Sequence, residues 1–346
     1  MPSNSMLALP SHANEGTEFT MAVLGCGTMG IAILSGILSS LSDLEAPKPL
    51  QSPMQNGTSD PLDDPLPSRL PSRFIACVRR TESAKRVKKA LWAHSSVVKV
   101  VQRENVAAVS QAEVILLACK PSMVSELLSE PGLSKALHGK LLISICVGVT
   151  AEQIETVLHG AVPQHDPEVD GRCRVVRAIP NTAAQIRESM TVVALPDPPL
   201  PAPVASLVTW IFRRIGDVVY LPPNTMDAST ALCGAGPAFF SLMMEAAIDG
   251  AVAMGVPRPE ATRMAAQAMM GTASLVQAGE HPAMLRDKIS TPGGCTIGGL
   301  LVLEEGRVRG TISRAVREAT VVASQIGKGR ENVNGTRFPQ TDNGGF

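Results

Sequence analysis

The chain has 346 residues, 45% of them hydrophobic and 18% charged, the composition of a soluble globular protein long enough for two domains. Its 31 basic and 31 acidic residues cancel, which excludes the electrostatic footprint of a nucleic-acid or anionic-membrane binder and leaves a small molecule as the expected partner. Seven cysteines (Cys26, Cys77, Cys119, Cys146, Cys173, Cys233 and Cys295) lie apart with no CxxC or metal-like pairing, as reduced intracellular thiols do, and no basic residue precedes Lys48, so the expected compartment is the cytoplasm.

Residues 1–18 are polar and patternless and predict a disordered lead-in. The run "FTMAVLG" then predicts a strand, followed by "GCGTMG" and an apolar helical stretch. From Phe19 to Ser42 there is no charge, a length that would cross a bilayer, but Gly25, Gly27, Gly30 and Gly36 interrupt it, and a strand, tight turn and helix are expected there. In that setting Gly25, Cys26, Gly27, Thr28, Met29 and Gly30 form a dinucleotide-phosphate loop. Gly25 permits the turn, Gly27 admits a pyrophosphate close to backbone, and Gly30 lets the helix lie on the sheet. A glycine turn without a ligand is the bland alternative.

Residues 45–72, dense in Pro, Ser and Asp, read as a solvated insertion. Beyond them "RFIACV", "SVVKVV", "AEVILLAC", "KLLISICV" and "CRVVRAI" alternate with helical patterns such as "TESAKRVKKALWA" and "SMVSELLSEPGLSKAL". This predicts an α/β fold, an N-terminal Rossmann domain over residues 19–221 with a doubly wound parallel sheet. After the second strand, "CVRRTES" puts Arg79 and Arg80 where an acidic residue would bind the ribose of NAD. Two guanidinium forks suit a 2′-phosphate, so NADPH is expected, with NADH possible; a solvated helix start is the alternative. "ACKP" and "SICVGVT" end at the same cleft, and Lys120 there either binds cofactor or is simply exposed.

From residue 222 to 328 only helical patterns occur, predicting an all-α second domain, with a disordered tail over 329–346. "PAFFSLMMEAAIDGAVAMG" and "RPEATRMAAQAMMGTASLVQAG" lack a polar face, so burial by another subunit is expected, a large single-chain core being the alternative. "STPGGCTIGG" sets bare backbone at the mouth of a helix, either as a plain Pro-Gly turn or as a hold for an anion. His281, followed by Pro282 in "GEHPAML", is expected to start a helix rather than to do acid–base chemistry. Asp287 could pair with neighbouring Arg286 or Lys288.

Taken together, "GCGTMGIAILSG", "LLACKP", "SICVGVT", "VVRAIPNTAAQIRESMT", "GAGPAFF", "AAQAMMGTASLV", "GEHPAMLRDKISTPGGCTIGGL" and "VLEEGRVRG" resemble the pyrroline-5-carboxylate reductase family, in that family's order, from about Phe19 to Lys328. The resemblance implies a Rossmann domain followed by a helical dimerisation domain, a homodimer or higher homo-oligomer, and hydride transfer from NADPH to the C=N carbon of a cyclic imine acid, giving L-proline. It further implies that Gly293, Gly294 and Cys295 hold the substrate carboxylate and that Thr296 reaches the imine nitrogen as the catalytic hydroxyl. Ala118, Cys119, Lys120 and Pro121, then Ile145, Cys146, Val147 and Gly148, fall where the family lines the cofactor's ribose and nicotinamide. Pro180, Asn181 and Thr182 fall near the reacting ring, although Asn181 also suits a plain turn after a strand.

The sequence departs from the family at Cys233 and Ala235, where many members have serine, and at "NTAAQ" in place of "NTPAL"; its loops at 45–72, 160–171 and 196–203 are longer than in compact members. Two other readings stay open: a reductase of another cyclic imine acid, such as piperideine carboxylate, and a non-catalytic NADPH-binding sensor. No metal site, nucleic-acid partner or membrane partner is expected.

Overall fold

The computed structural model describes residues 18–45, 66–160 and 170–327, together with Arg330 and Val333. The expected disorder over 1–17 and 329–346, Arg330 and Val333 apart, and most of the insertions at 45–72 and 160–171 therefore fall outside the described residues, while Glu18, expected in the disordered lead-in, is instead the first residue of a strand. The edges of the first insertion are corrected inward: helix α1 (Thr28–Glu45) runs to Glu45 and strand β2 (Leu70–Val78) begins at Leu70.

The Rossmann domain is built on strands β1 (Glu18–Leu24), β2, β3 (Val98–Gln102), β4 (Val114–Leu117), β5 (Leu141–Ser144), β6 (Arg174–Ile179), β7 (Ser189–Ala194) and β8 (Gly216–Leu221). They form one eight-stranded sheet in the order β3-β2-β1-β4-β5-β6-β7-β8. Sequence alternation puts Met21 and Val23 in the core on one face and Ala22 and Leu24 in the core on the other, all four fully buried, so the sheet is covered on both sides. The first face is closed by α1 and α7 (Ala202–Arg213), which carries Trp210 and Phe212. The second is closed by α3 (Asn105–Ser110), α4 (Val124–Leu128), α5 (Leu133–Leu137) and α6 (Ala151–His159). Helix α2 (Thr81–Ala90) follows β2, with Ala84 and Val87 on the first face.

The uncharged run from Phe19 to Ser42 is a strand, turn and helix, as expected. Two strands go beyond the expected six. The short turn over Thr182–Ile186 returns the chain as β7, antiparallel to β6, because a connection without a crossover helix cannot restore a parallel direction. Strand β8 then pairs parallel with β7 through α7. The helix expected over "SMVSELLSEPGLSKAL" is split into α4 and α5 at Pro131 and Gly132, the latter at φ +89.

From Pro223 the chain is helical: a 3₁₀ turn (Pro223–Thr225), α8 (Met226–Ser229), a π-turn (Thr230–Gly234), α9 (Gly236–Ala253), α10 (Arg258–Gln277), α11 (Pro282–Ile289), α12 (Cys295–Glu305) and α13 (Val308–Gly327). In α9 only Gly236 and Ile248 are buried, and in α10 only Ala261, which rules out a single-chain core as the cover for these helices. Leu242, Met254, Met264, Met270 and Val302 lie open to solvent. Pro223–Ala253 is also the one stretch among the described residues long and apolar enough to cross a membrane, and little of its most apolar part is buried.

Arg177 of β6 and Asp227 of α8 join the two domains, Nη2 lying 3.7 Å from Oδ1. The Arg177 side chain is 8% exposed, and burial pulls its guanidinium below the ordinary range while Asp227 works against that fall. Removing only this carboxylate leaves the buried guanidinium without its ion-pair partner, with Glu152 as the remaining acid acting on it. Asp227→Ala is therefore expected to lower unfolding stability by about 3 kcal/mol in denaturant titration. A change below about 0.5 kcal/mol would mean that water reaches this pair and screens it.

Candidate active site

The carboxyl ends of β1, β2, β4 and β5 bring the expected cofactor residues to one edge of the sheet, at the point where strand order reverses between β1 and β4. Gly25 turns the chain at φ +76, and a Cβ there would lie 2.6 Å from the Cys119 Cα. Its N–H and that of Cys26 both donate to the Cys77 carbonyl, at 3.1 and 2.9 Å, which ties the loop to the end of β2. Gly27 is different: a Cβ would meet nothing nearer than 3.7 Å, so the space over it is open. Gly30 packs on the sheet, where a Cβ would stand 3.1 Å from Val23 Cγ1 and 3.2 Å from Cys26 Sγ. Thr28, Met29 and Gly30 occupy the first turn of α1, so their N–H groups have no intrahelical acceptor. A dinucleotide pyrophosphate fits this arrangement, with open backbone beside free amides at a helix N-terminus.

Arg79 and Arg80 sit exposed between β2 and α2, and neither makes an ion pair among the described residues. Arg86, which the sequence reading did not single out, reaches the same loop from α2, its Nη2 4.0 Å from the position of a Cβ on Gly27. Burial pushes the Cys26 thiol up to about 12, with Arg86 acting in the opposite sense.

Ala118 and Cys119 are half-buried at the end of β4, while Lys120 and Pro121 are exposed at the start of a 3₁₀ turn. Across the next strand, Ile145 donates to the Leu117 carbonyl at 3.0 Å, Cys146 is buried, Val147 is exposed and Gly148 turns at φ +79. The Cys119 and Cys146 sulfurs lie 4.0 Å apart. Donation from the Cys146 thiol lowers the Cys119 pKa and raises its own, to which burial adds. Pro180 is buried directly after β6; Asn181 uses its Oδ1 to accept from the Ala183 N–H at 3.0 Å and its own N–H to donate to Ser189 Oγ at 2.9 Å, capping the turn into β7.

The other half of the expected site lies on the helical domain. Gly293 takes φ +70 with open space around it, and Gly294 caps α12, its N–H donating to the Thr291 carbonyl at 3.0 Å. Gly294 offers no side-chain cap, so the amides of Cys295 and Thr296 begin α12 without a partner from it. Thr291, Pro292, Gly293 and Cys295 are exposed, and no hydrogen bond or ion pair among the described residues joins this turn to the glycine loop. His281 caps α11 as expected, its Nδ1 accepting from the Ala283 N–H at 3.2 Å. Lys288 pairs with Glu280 at 2.7 Å instead of with Asp287. No group of three potential metal ligands occurs among the described residues.

Residues 223–326 match the family described as "Pyrroline-5-carboxylate reductase dimerisation", and residues 63–148 match "NADP oxidoreductase coenzyme F420-dependent". A pyrroline-5-carboxylate reductase of Lophium arboricola is 62% identical over 95% of this chain and 100% of its own length. The chain belongs to the pyrroline-5-carboxylate reductase family. A further pyrroline-5-carboxylate reductase, from Neurospora crassa, is 56% identical over 93% of this chain and 98% of its own. Two solved structures share the fold. The Plasmodium falciparum pyrroline carboxylate reductase with NADP bound has a TM-score of 0.68 at 22% identity, covering 89% of this chain and 98% of its own. The Coxiella burnetii reductase has 0.69 at 24% identity, with the same coverage. The motif resemblance and the fold class are thus borne out, and the family's dimerisation region spans the open apolar faces of α9 and α10.

Proposed function

We propose that the chain is an NADPH-dependent pyrroline-5-carboxylate reductase that forms L-proline as a cytoplasmic homodimer or larger homo-oligomer. The observation that carries this reading is 62% identity along the entire length of a reductase of that name, and the carboxyl edge of the sheet and the "PGGCT" turn supply parts that suit the chemistry. Bound NADPH would supply the hydride. The chain's own groups do the rest. Amides at the first turn of α1 receive the pyrophosphate, and Arg79 and Arg80 face the 2′-phosphate. The Ile145–Gly148 loop and the Ala118–Pro121 turn support the ribose and nicotinamide, with Pro180 and Asn181 at the rim.

On the helical domain, the amides at Gly294 and Cys295 hold the substrate carboxylate, aided by the α12 dipole and by the backbone that Gly293 leaves open. The Thr296 hydroxyl binds the imine nitrogen and passes it a proton from water as the ring nitrogen becomes an amine. Because this turn is exposed and unconnected to the glycine loop, a second copy pressed onto the apolar helices is the means by which the two halves meet. That arrangement also accounts for the apolar Pro223–Ala253 helix without a bilayer.

The test is the loss of NADPH absorbance with racemic pyrroline-5-carboxylate, followed by identification of proline. Failure with this substrate but turnover of piperideine carboxylate would shift the assignment to the larger ring, since one methylene is worth about 1–3 kcal/mol of discrimination. NADPH binding with no turnover of either would favour a sensor. The arginines make a separate prediction. Arg79→Ala combined with Arg80→Ala should raise the KM for NADPH by at least about tenfold and leave that for NADH within about twofold. Equal effects on both coenzymes would remove the 2′-phosphate from the account.

A further inference from the structure

Helix α13, the last among the described residues, ends against the loop assigned to the nicotinamide. Gly148 closes that loop at φ +79, and the position of a Cβ there is 3.1 Å from the Gly327 nitrogen and 3.2 Å from its Cα. The converse also holds, for a Cβ on Gly327 would press into the Gly148 carbonyl oxygen, far inside van der Waals contact. Two glycine backbones therefore touch where the sheet domain meets the helical domain, an approach that side chains would prevent.

Gln153 closes over the contact. Its Oε1 accepts from the Thr150 N–H at 2.8 Å, and its own N–H donates to Thr150 Oγ1 at 3.2 Å, a reciprocal cap on α6. Its Nε2 donates to the Gly327 carbonyl at 2.7 Å, satisfying one of the acceptors left at the end of α13. Capping α6 needs only the Oε1 and N–H contacts. The Nε2 contact spans more than half the chain and joins the element that follows the cofactor loop to a helix that packs on α12, where Thr296 sits.

We propose that Gln153 and Gly327 are positioning residues for coenzyme binding, fixing the Ile145–Gly148 loop against the end of α13 and so holding it in the shape that receives the nicotinamide. The inference rests on the assignment of that loop to the cofactor.

The test uses three variants of the full-length chain. Gln153→Glu keeps an acceptor for the Thr150 N–H but replaces the donor to Gly327 with an oxygen. Gly327→Ala forces the loop away from α13, and Thr150→Ala weakens the α6 cap while leaving Nε2 in place. Expected are a KM for NADPH about threefold higher in Gln153→Glu and about tenfold higher in Gly327→Ala, with kcat at saturating NADPH within about twofold of the parent. Thr150→Ala should lower Tm without moving that KM. An unchanged KM in Gln153→Glu, which decides the matter if Gly327→Ala fails to fold, overturns the proposal. So does an equal rise in Thr150→Ala, which would reduce Gln153 to a helix cap. Titration of parental protein with NADPH by nucleotide fluorescence separates the two layers. Parental binding with unaffected variants overturns only this inference, whereas no parental binding overturns the cofactor reading as well.

Discussion

Gly25→Ala is expected to abolish NADPH binding and to cost about 3 kcal/mol or more of unfolding stability, whereas Gly27→Ala abolishes binding with stability intact. The contrast follows from what each new methyl group meets. At Gly25 the backbone is left-handed at φ +76, which costs an L-residue about 1–2 kcal/mol, and the added Cβ would stand 2.6 Å from the Cys119 Cα. Main chain cannot swing aside as a lysine tip would. The end of β4 must move, and overpacking of this kind adds about 1–3 kcal/mol. The two amide bonds to the Cys77 carbonyl go with it.

At Gly27 nothing lies within 3.7 Å, so the apoprotein has room for the methyl group and stability should change by less than about 0.5 kcal/mol. What the methyl group fills is the space above the first turn of α1, where a pyrophosphate must approach the amides. Denaturant titration and nucleotide fluorescence on the two variants separate the cases. A Gly27→Ala protein that binds NADPH like the parent would show that the open space is not the phosphate cradle.

Much of this site was legible because glycine carries backbone information. The loop at Gly25–Gly30, following an apolar strand and opening a helix, has few uses other than phosphate binding, and the strand–helix alternation placed "ACKP" and "SICVGVT" on the same edge of a parallel sheet. Strands β7 and β8 were less legible. "SMTVVA" is six residues behind a polar turn, and "GDVVYL" carries an aspartate and is only partly buried at the sheet edge, so neither shows the continuous apolar run of a central strand. Arg86 was missed for a different reason. On a helix with exposed Lys85, Lys88 and Lys89 around it, one more cation looks like solvated surface until the fold shows which of them faces the loop. The polar faces absent from α9 and α10 predicted a partner, and the family's dimerisation region spans both helices.

The second large effect is at the substrate turn. Thr296→Val, which keeps shape and loses the hydroxyl, is expected to lower kcat by about a hundredfold with a smaller change in the KM for pyrroline-5-carboxylate, and Thr296→Ser should restore most of the rate. The start of α12 divides the labour between backbone and side chain. Backbone amides there are free to receive a carboxylate, because Gly294 contributes no side-chain cap, so binding needs no particular side chain. Cys295→Ala should accordingly shift that KM by less than about twofold. Protonation of the ring nitrogen does need a donor, and at that turn Thr296 is the hydroxyl that follows the amides into the helix. Rates in initial-velocity assays for the three variants distinguish these roles. A Thr296→Val enzyme with an unchanged kcat and a raised KM would make the hydroxyl a binding contact, and would move the proton's source to water held elsewhere in the completed site.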